Sequence, residues 1–328
     1  MISPPTIWAR RRARADLPLA VGPAMSQMRD AMDLALTLVG LDAETTRLAS
    51  DRAQAGLAAR SLSVKSAAAL GPSARDLVFD GADPAALKAH VRTALGDLPV
   101  DFALQPRAGR RKRLLLADMD STIITCECLD ELADFAGRKA EVSAITERAM
   151  RGELAFEGAL RERVAMLAGL PESQLERAYA ERVRLNPGAR TFVRTLAASG
   201  VHCVLVSGGF DFFTRRVAIQ AGFHEDRANR FVVEDGHLTG AVRDPILGRE
   251  AKLATLVSEA DRLGVDLSQT AAIGDGANDL AMIEAAGLGL AYRAKPVVAA
   301  QADAQIDHAD LTAALYFMGF SEAEFVRD

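Results

Sequence analysis

Leu114-Leu-Leu-Ala-Asp118-Met-Asp120-Ser-Thr122 is the stretch whose reading decides the fold of this chain. An unbroken apolar run reads as a strand buried on both faces of a parallel sheet; a half-wetted strand would alternate. The run ends in two aspartates spaced i, i+2, followed by hydroxyl residues. In open α/β sheets ligands bind in the crevice beyond the carboxyl ends of the strands, so both carboxylates stand where such a fold does its chemistry. One can attack as nucleophile while the other moves a proton, and together they offer oxygen ligands to a hard cation such as Mg²⁺. An isolated Asp-x-Asp more often just ends a strand at the surface, so the decision rests on the residues further along the chain.

Two further units repeat the plan. Val201-His-Cys-Val-Leu-Val206 stops at Ser207-Gly208-Gly209-Phe210, and Thr270-Ala-Ala-Ile273 stops at Gly274-Asp275-Gly276-Ala-Asn278-Asp279. Helical sequence comes after each, over 211–221 and 280–286. Glycines let backbone N–H groups approach a ligand closely, and such groups at a helix start suit phosphate. Between these units Lys252 lies at the front of a helix expected over 251–263. Taken singly, Lys252 reads as a solvated helix lysine and Ser207-Gly-Gly as a plain turn. The ordered set is far more specific than any of its parts.

Composition narrows the function classes. The chain has 328 residues, 49% hydrophobic and 25% charged, as in globular proteins of one large or two ordinary domains. A net charge of −5 argues against a general nucleic-acid binder, and the basic runs at 10–14 and 110–113 are local exceptions. Cys126, Cys128 and Cys203 give no disulfide framework and suit a reducing cytosol; no further soft ligand accompanies the Cys-x-Cys pair. No run approaches the roughly 18 apolar residues of a membrane span. Residues 1–24 carry arginines and prolines but no apolar h-region, so no secretory signal is read. A transit peptide and a later start, at Met25, Met28 or Met32, both fit that stretch, which is expected to be disordered.

Along the chain, 26–40 has helical spacing with a terminal glycine, 64–70 and 77–79 read as strands, and 84–95 as a helix. A small α+β domain is therefore expected over 25–105, with no convergent polar cluster. Pro99, Pro106 and Gly109 mark 98–110 as a linker. From about 126 to 186 the pattern is helical, with breaks at Gly137, Gly152 and Gly169-Leu-Pro171, as in a helical cap inserted after the first strand. Asn186-Pro-Gly188 marks the return to the core, and Asp235-Gly236 centres a hairpin.

The order Asp-x-Asp-x-Thr, Ser-Gly-Gly, Lys, Gly-Asp-Gly-x-Asn-Asp resembles the haloacid dehalogenase superfamily of aspartyl-phosphate hydrolases, over roughly residues 112–320. The resemblance implies a Rossmann-like parallel sheet with an inserted helical cap over 106–328, beside the small N-terminal domain. It implies Mg²⁺ held by Asp118, Asp275 and the backbone carbonyl of Asp120, with Asp279 behind them. Asp118 would be the nucleophile and Asp120 the general acid and base. Ser207, the Gly208 and Gly209 amides, and Lys252 would hold phosphoryl oxygens, and Asn278 would orient Lys252 or the phosphate. Within the superfamily, Glu127 and the stretch 149–164 resemble the cap groups of members acting on O-phosphoserine, in the last step of serine biosynthesis. Glu127 would then meet the substrate's ammonium and Arg163 its carboxylate, with Arg161 the rival on another side of the helix. Met150 and Phe156 would be apolar lids, although core packing explains them equally well. The expected partner is a small molecule met in the cytoplasm, with no nucleic acid or membrane, by a monomer or homodimer. The rival readings are another phosphatase or phosphotransferase of the superfamily, and a binding protein on an inactive scaffold.

Overall fold

The computed structural model of the chain describes residues 32–150, apart from the Met150 side chain, and 153–327. The tail expected at 1–24, the start of the expected 26–40 helix and the Met150 lid lie outside the described residues.

The first described elements are β1 (Met32–Gly40), α1 (Ala43–Ala58), β2 (Val64–Gly71), β3 (Ala74–Gly81), α2 (Pro84–Leu95) and β4 (Val100–Pro106). They form an antiparallel sheet of order β2-β3-β1-β4. Two expectations are corrected here. Residues 32–40 are a strand, not the end of a helix: Leu34, Leu36 and Leu38 alternate onto the core shared with Leu57 of α1 and Val91 of α2. The segment 98–110 is not a linker, because β4 pairs along β1 from Val100 to Pro106. Its prolines misled the reading: Pro99 precedes the strand and Pro106 is its last residue, positions where a missing N–H costs least. Helix α1 was not anticipated, although Asp42 caps it by accepting from the Thr45 N–H at 2.7 Å.

The remainder keeps to the expected plan. β5 (Leu114–Ala117) leads through a turn to α3 (Cys128–Phe135), α4 (Lys139–Met150), α5 (Phe156–Ala165) and α6 (Ser173–Arg182). Then come α7 (Ala189–Ala198), β6 (His202–Phe210), α8 (Asp211–Ala221), β7 (Glu225–Asn229), β8 (Phe231–Glu234), β9 (His237–Val242), α9 (Arg249–Leu263), β10 (Thr270–Gly274), α10 (Leu280–Ala285), β11 (Leu288–Tyr292), α11 (Pro296–Gln301), β12 (Ala304–Ile306) and α12 (Ala313–Phe317). The second sheet is parallel, with order β12-β11-β10-β5-β6-β7. Alternation explains its unbroken apolar strands. Leu115 and Ala117 of β5 enter one core, while Leu114 and Leu116 enter another on the opposite face. Both faces are dry, so no position is left for a polar residue.

The helices α3–α6 leave and rejoin this sheet through a narrow neck. Ile124 bridges Leu185, Thr125 N donates to Arg184 O at 3.0 Å, and Asn186 N donates to Ile123 O at 2.8 Å. The hairpin β8–β9 braces the cap from one side, with Gly169 N donating to Leu238 O and Leu238 N to Leu170 O. The antiparallel sheet is fastened near the end of the chain. Buried Asp101 accepts from the amides of Asp307, His308 and Ala309, and Gln105 Nε2 donates to Phe317 O at 2.7 Å. Arg110 closes the junction by donating to Asp76 and to Thr37.

Candidate active site

The carboxyl ends of three adjacent strands supply the site. β5 and β10 are neighbours in register, with Ala117 opposite Ile273, and β6 flanks β5 with Leu205 opposite Ala117. The residues just beyond, Asp118, Asp275 and Ser207, therefore emerge side by side. The Asp118 N–H still continues the ladder, donating to Ile273 O at 3.0 Å, which fixes where its side chain starts.

Asp118 is buried, and its Oδ1 accepts from Lys252 Nζ at 2.5 Å. The same Nζ donates to Asp279 Oδ1 at 2.6 Å. Lys252 is 1% exposed and Asp279 0%, so this is a fully interior lysine between two carboxylates. Burial alone would lower the lysine's pKa, but Asp118 and Asp279 hold it above the ordinary lysine range, so it stays charged. Burial pushes Asp118 well up, reinforced by Asp279 and opposed by Lys252. Asp275 is pushed up to about 6, first by burial and then by Asp279. Oxygens of Asp118, Asp275 and Asp279 lie within 4.8 Å of one another. An all-oxygen set in which Asp279 helps raise the pKa of both Asp118 and Asp275 suits a hard divalent cation. Both oxygens of Asp279 are engaged, one by Lys252 and the other by the Gly276 N–H at 3.1 Å. Asp118 and Asp275 are therefore the freer donors. Asp118 and Asp279 both accept from Lys252; Asn278, expected to orient Lys252 or the phosphate, lies beside Gly276 in the same loop.

Asp120 faces the second strand end. Its Oδ1 accepts from the Cys128 N–H at 2.9 Å, and its Oδ2 from Ser207 Oγ at 3.2 Å. Burial raises its pKa against those hydrogen bonds. Ser207 is 1% exposed and its Oγ accepts from the Gly209 N–H at 2.8 Å. A Cβ on Gly209 would lie 3.0 Å from Asp120 Oδ2, tighter than an ordinary contact, so glycine eases this close approach of backbone and carboxylate.

The cap brings three of the expected residues to this centre. Glu127, just before α3, accepts from Ser121 Oγ at 2.7 Å. Burial, and then the charge of Asp120, push its carboxyl up to about 8. Arg163 on α5 is half-buried, with Nε donating to Ala159 O at 3.3 Å and Nη1 to Thr146 Oγ1 at 3.2 Å. Burial lowers its pKa, and Asp130, Glu127 and Asp120 oppose that shift, which places the guanidinium in the field of the acidic centre. Phe156 lies against the site floor, where a Cβ on Gly208 would meet its ring at 2.9 Å. Arg161 is exposed and pairs with Asp244 at 2.5 Å, away from the centre. Asn186, read in sequence only as a boundary, holds the turn after Asp118, with Nδ2 donating to Thr122 O and Ile124 O at 2.9 and 3.0 Å. The asparagine beside Pro187-Gly188 was the signal the sequence offered.

This core, with its carboxylates at the strand ends and helices inserted above them, defines a class. The haloacid dehalogenase-like hydrolase family matches residues 115–284, and the chain belongs to that family. Among its relatives, the phosphoserine phosphatase of Streptococcus thermophilus is 50% identical over 200 residues, 61% of this chain and 93% of the relative. That of Archaeoglobus fulgidus is 42% identical over 231 residues, 70% of this chain and 67% of the relative. Against the phosphoserine phosphatases of Mycobacterium tuberculosis and Streptomyces coelicolor the match spans 56% and 62% of their lengths. The solved structure of a HAD family hydrolase from Salmonella enterica serovar Typhi superposes with a TM-score of 0.77 at 30% identity, covering 87% of this chain and 98% of that one. No helix among the described residues is long and apolar enough to cross a membrane.

Proposed function

We propose that this chain is a cytoplasmic, Mg²⁺-dependent phosphoserine phosphatase that hydrolyses O-phosphoserine to serine and phosphate, the last step of serine biosynthesis. The catalytic unit is 106–328, with the cap at about 126–186. The observation that carries the reading is the pair of cap groups, the Glu127 carboxyl and the Arg163 guanidinium, in the field of the acidic centre of a chain whose relatives bear that name. An amino acid offers one ammonium and one carboxylate, and these residues are their complements. A neutral sugar phosphate would leave the Glu127 carboxyl and the Arg163 guanidinium without a partner. Three free cysteines fit a reducing compartment.

In the proposed mechanism Lys252 opposes the burial-driven rise in the Asp118 pKa, favouring the ionised nucleophile, and holds that carboxylate in place. A carboxylate oxygen of Asp118 attacks, the bond from phosphorus to the serine oxygen breaks, and Asp120 gives that oxygen its proton. Asp120 then takes a proton from water, whose oxygen attacks phosphorus and breaks the bond to Asp118, releasing phosphate. The raised pKa of Asp120 suits it to hold the proton first. Ser207, the amides of Gly208 and Gly209, and Lys252 hold the phosphoryl oxygens, with Asn278 at the rim. Asp118, Asp275 and the Asp120 carbonyl would hold Mg²⁺, with Asp279 fixing the loop behind them; when bound, the ion offsets charge on the transferring oxygens. The test is phosphate release from O-phosphoserine, a sugar phosphate and a simple alkyl phosphate with Mg²⁺ present. The proposal expects strong preference for the first, and equal use of all three would refute it.

A further inference from the structure

We infer that Asn229, at the end of β7, is a positioning residue that locks two loops into a single floor for the phosphoryl group and for the cap's Phe156. The inference rests on the proposed role of Ser207-Gly208-Gly209 as the phosphoryl cradle. Asn229 is 2% exposed, and its carboxamide is spent entirely on backbone. Nδ2 donates to Gly208 O at 2.8 Å and to Leu247 O at 3.1 Å, while Oδ1 accepts from Leu247 N at 2.6 Å.

The sheet explains why a side chain is needed at this position. β6 and β7 pair from Val204 opposite Glu225 to Val206 opposite Arg227, and resume only at Phe210 opposite Asn229. Residues 207–209 bulge out of register, which turns the cradle toward the site and takes the Gly208 carbonyl off the ladder. The Asn229 carboxamide supplies the lost bond. Its other two bonds hold Leu247, the residue before Gly248, which precedes the helix α9 that carries Lys252 to Asp118. One side chain thus joins the cradle to the approach of the phosphate-binding lysine. The ring of Phe156 rests on both loops: a Cβ on Gly208 would meet it at 2.9 Å, and a Cβ on Gly248 at 3.2 Å. No other polar group can be exchanged for this one, because two of its partners accept and one donates. Aspartate has the same shape but would set a carboxylate oxygen against two carbonyl oxygens.

The test uses the full chain with Mg²⁺ and three probes: O-phosphoserine, an aryl phosphate and orthovanadate. Asn229→Asp should lower kcat about a hundredfold on both esters, the cost of a displaced cradle, and weaken vanadate binding by a similar factor. The Arg163-dependent preference for phosphoserine over an alkyl phosphate should persist, since the cap charges are untouched. A variant with lowered Tm but with kcat and vanadate affinity within about threefold of wild type would show a merely structural bond and overturn the inference. Loss confined to phosphoserine, with the aryl ester unaffected, would also overturn it, by placing the fault in the cap. The aryl ester and vanadate read Asn229 even if the wild type ignores phosphoserine, so the two proposals fail separately. Amide hydrogen exchange on the wild type covers a variant that does not fold. Vanadate should slow 208–210 and 247–248 together, whereas protection of 208–210 alone would refute a shared floor.

Discussion

Glu127→Gln should stabilise the empty enzyme while impairing it on phosphoserine, because the same buried carboxyl serves recognition and costs folding energy. Burial and the Asp120 charge push Glu127 from an ordinary 4.5 up to about 8. A carboxyl raised on folding is neutral in both states below its unfolded value and ionised in both above its folded value. Between the two, the unfolded chain ionises and the folded one does not, so stability falls as pH rises, by about 1.4 kcal/mol per pH unit. At pH 7 the accumulated cost is about 3 kcal/mol, an upper bound because Glu127 keeps some contact with solvent. Glutamine keeps the shape and the Ser121 contact without that cost. The variant's advantage should be near zero at pH 4.5, grow toward pH 8, and at pH 7 raise Tm by about 4–6 °C. Denaturant titrations across this range, without substrate or metal, measure it. The kinetics carry the same signature. An ammonium needs the ionised form, so kcat/KM for phosphoserine should climb toward pH 8, and this limb should vanish with an alkyl phosphate. A stability difference that does not change with pH, or a variant less stable at pH 7, would refute the reasoning.

The other expected outcomes concern the centre and the cap. Asp118→Asn should lose nearly all turnover while phosphoserine still binds, and brief labelling of wild type should leave hydroxylamine-labile phosphate on Asp118; label on Ser207 would reassign the nucleophile. Dialysis against a chelator should abolish turnover, Mg²⁺ should restore it and raise Tm, and full activity in rigorously metal-free protein would end the metal reading. Arg163→Ala should lower kcat/KM on phosphoserine about 30- to several-thousand-fold, far more than on an alkyl phosphate, since a buried charge loses its partner. Arg161→Ala should be mild, because that side chain is exposed and paired with Asp244; equal losses from both arginines, or an equal loss from Arg163→Ala on both substrates, would make Arg163 structural.

What was legible in the sequence was what the chain encodes locally. Leu114–Ala117 with Asp118 and Asp120 is a strand with its own termination, and burial on both faces leaves it one reading. The helices 84–95 and 211–221 carry their start and stop residues with them, and appear with those bounds. The misreadings fall where partners are distant. β1 and β4 have sequences that a helix or a loop could also carry, and they become strands because they pair with each other and β1 also with β3. In the site, Asp118 announces itself by position after a strand, and Ser207 by ending the apolar run of β6. Asp279, Asn186 and Asn229 act through backbone or side-chain contacts that only the folded chain assembles.

The charge balance of the assembled centre explains why so many of its groups sit away from their ordinary pKa. Asp118, Asp120, Asp275, Asp279, Glu127 and Asp130 face one another across the strand ends and the cap, against Lys252 and Arg163. Lys252 satisfies two of the acids directly, and Arg163 lies within the field of three more. With so few opposing charges in a buried space, Asp118, Asp120, Asp275, Glu127 and Asp130 are all driven toward protonation. A phosphate ester entering this space adds further negative charge, and three means of accommodating it are open besides Lys252, Arg163 and the cradle amides. A cation can join Asp118 and Asp275, a carboxyl can carry a proton, or the substrate can bring its own ammonium. The proposed reaction uses all three, at the Mg²⁺ site, at Asp120 and at Glu127. In the proposed reaction, the excess acidity that weakens the empty fold would thus be the feature that selects a zwitterionic phosphate ester over a neutral one.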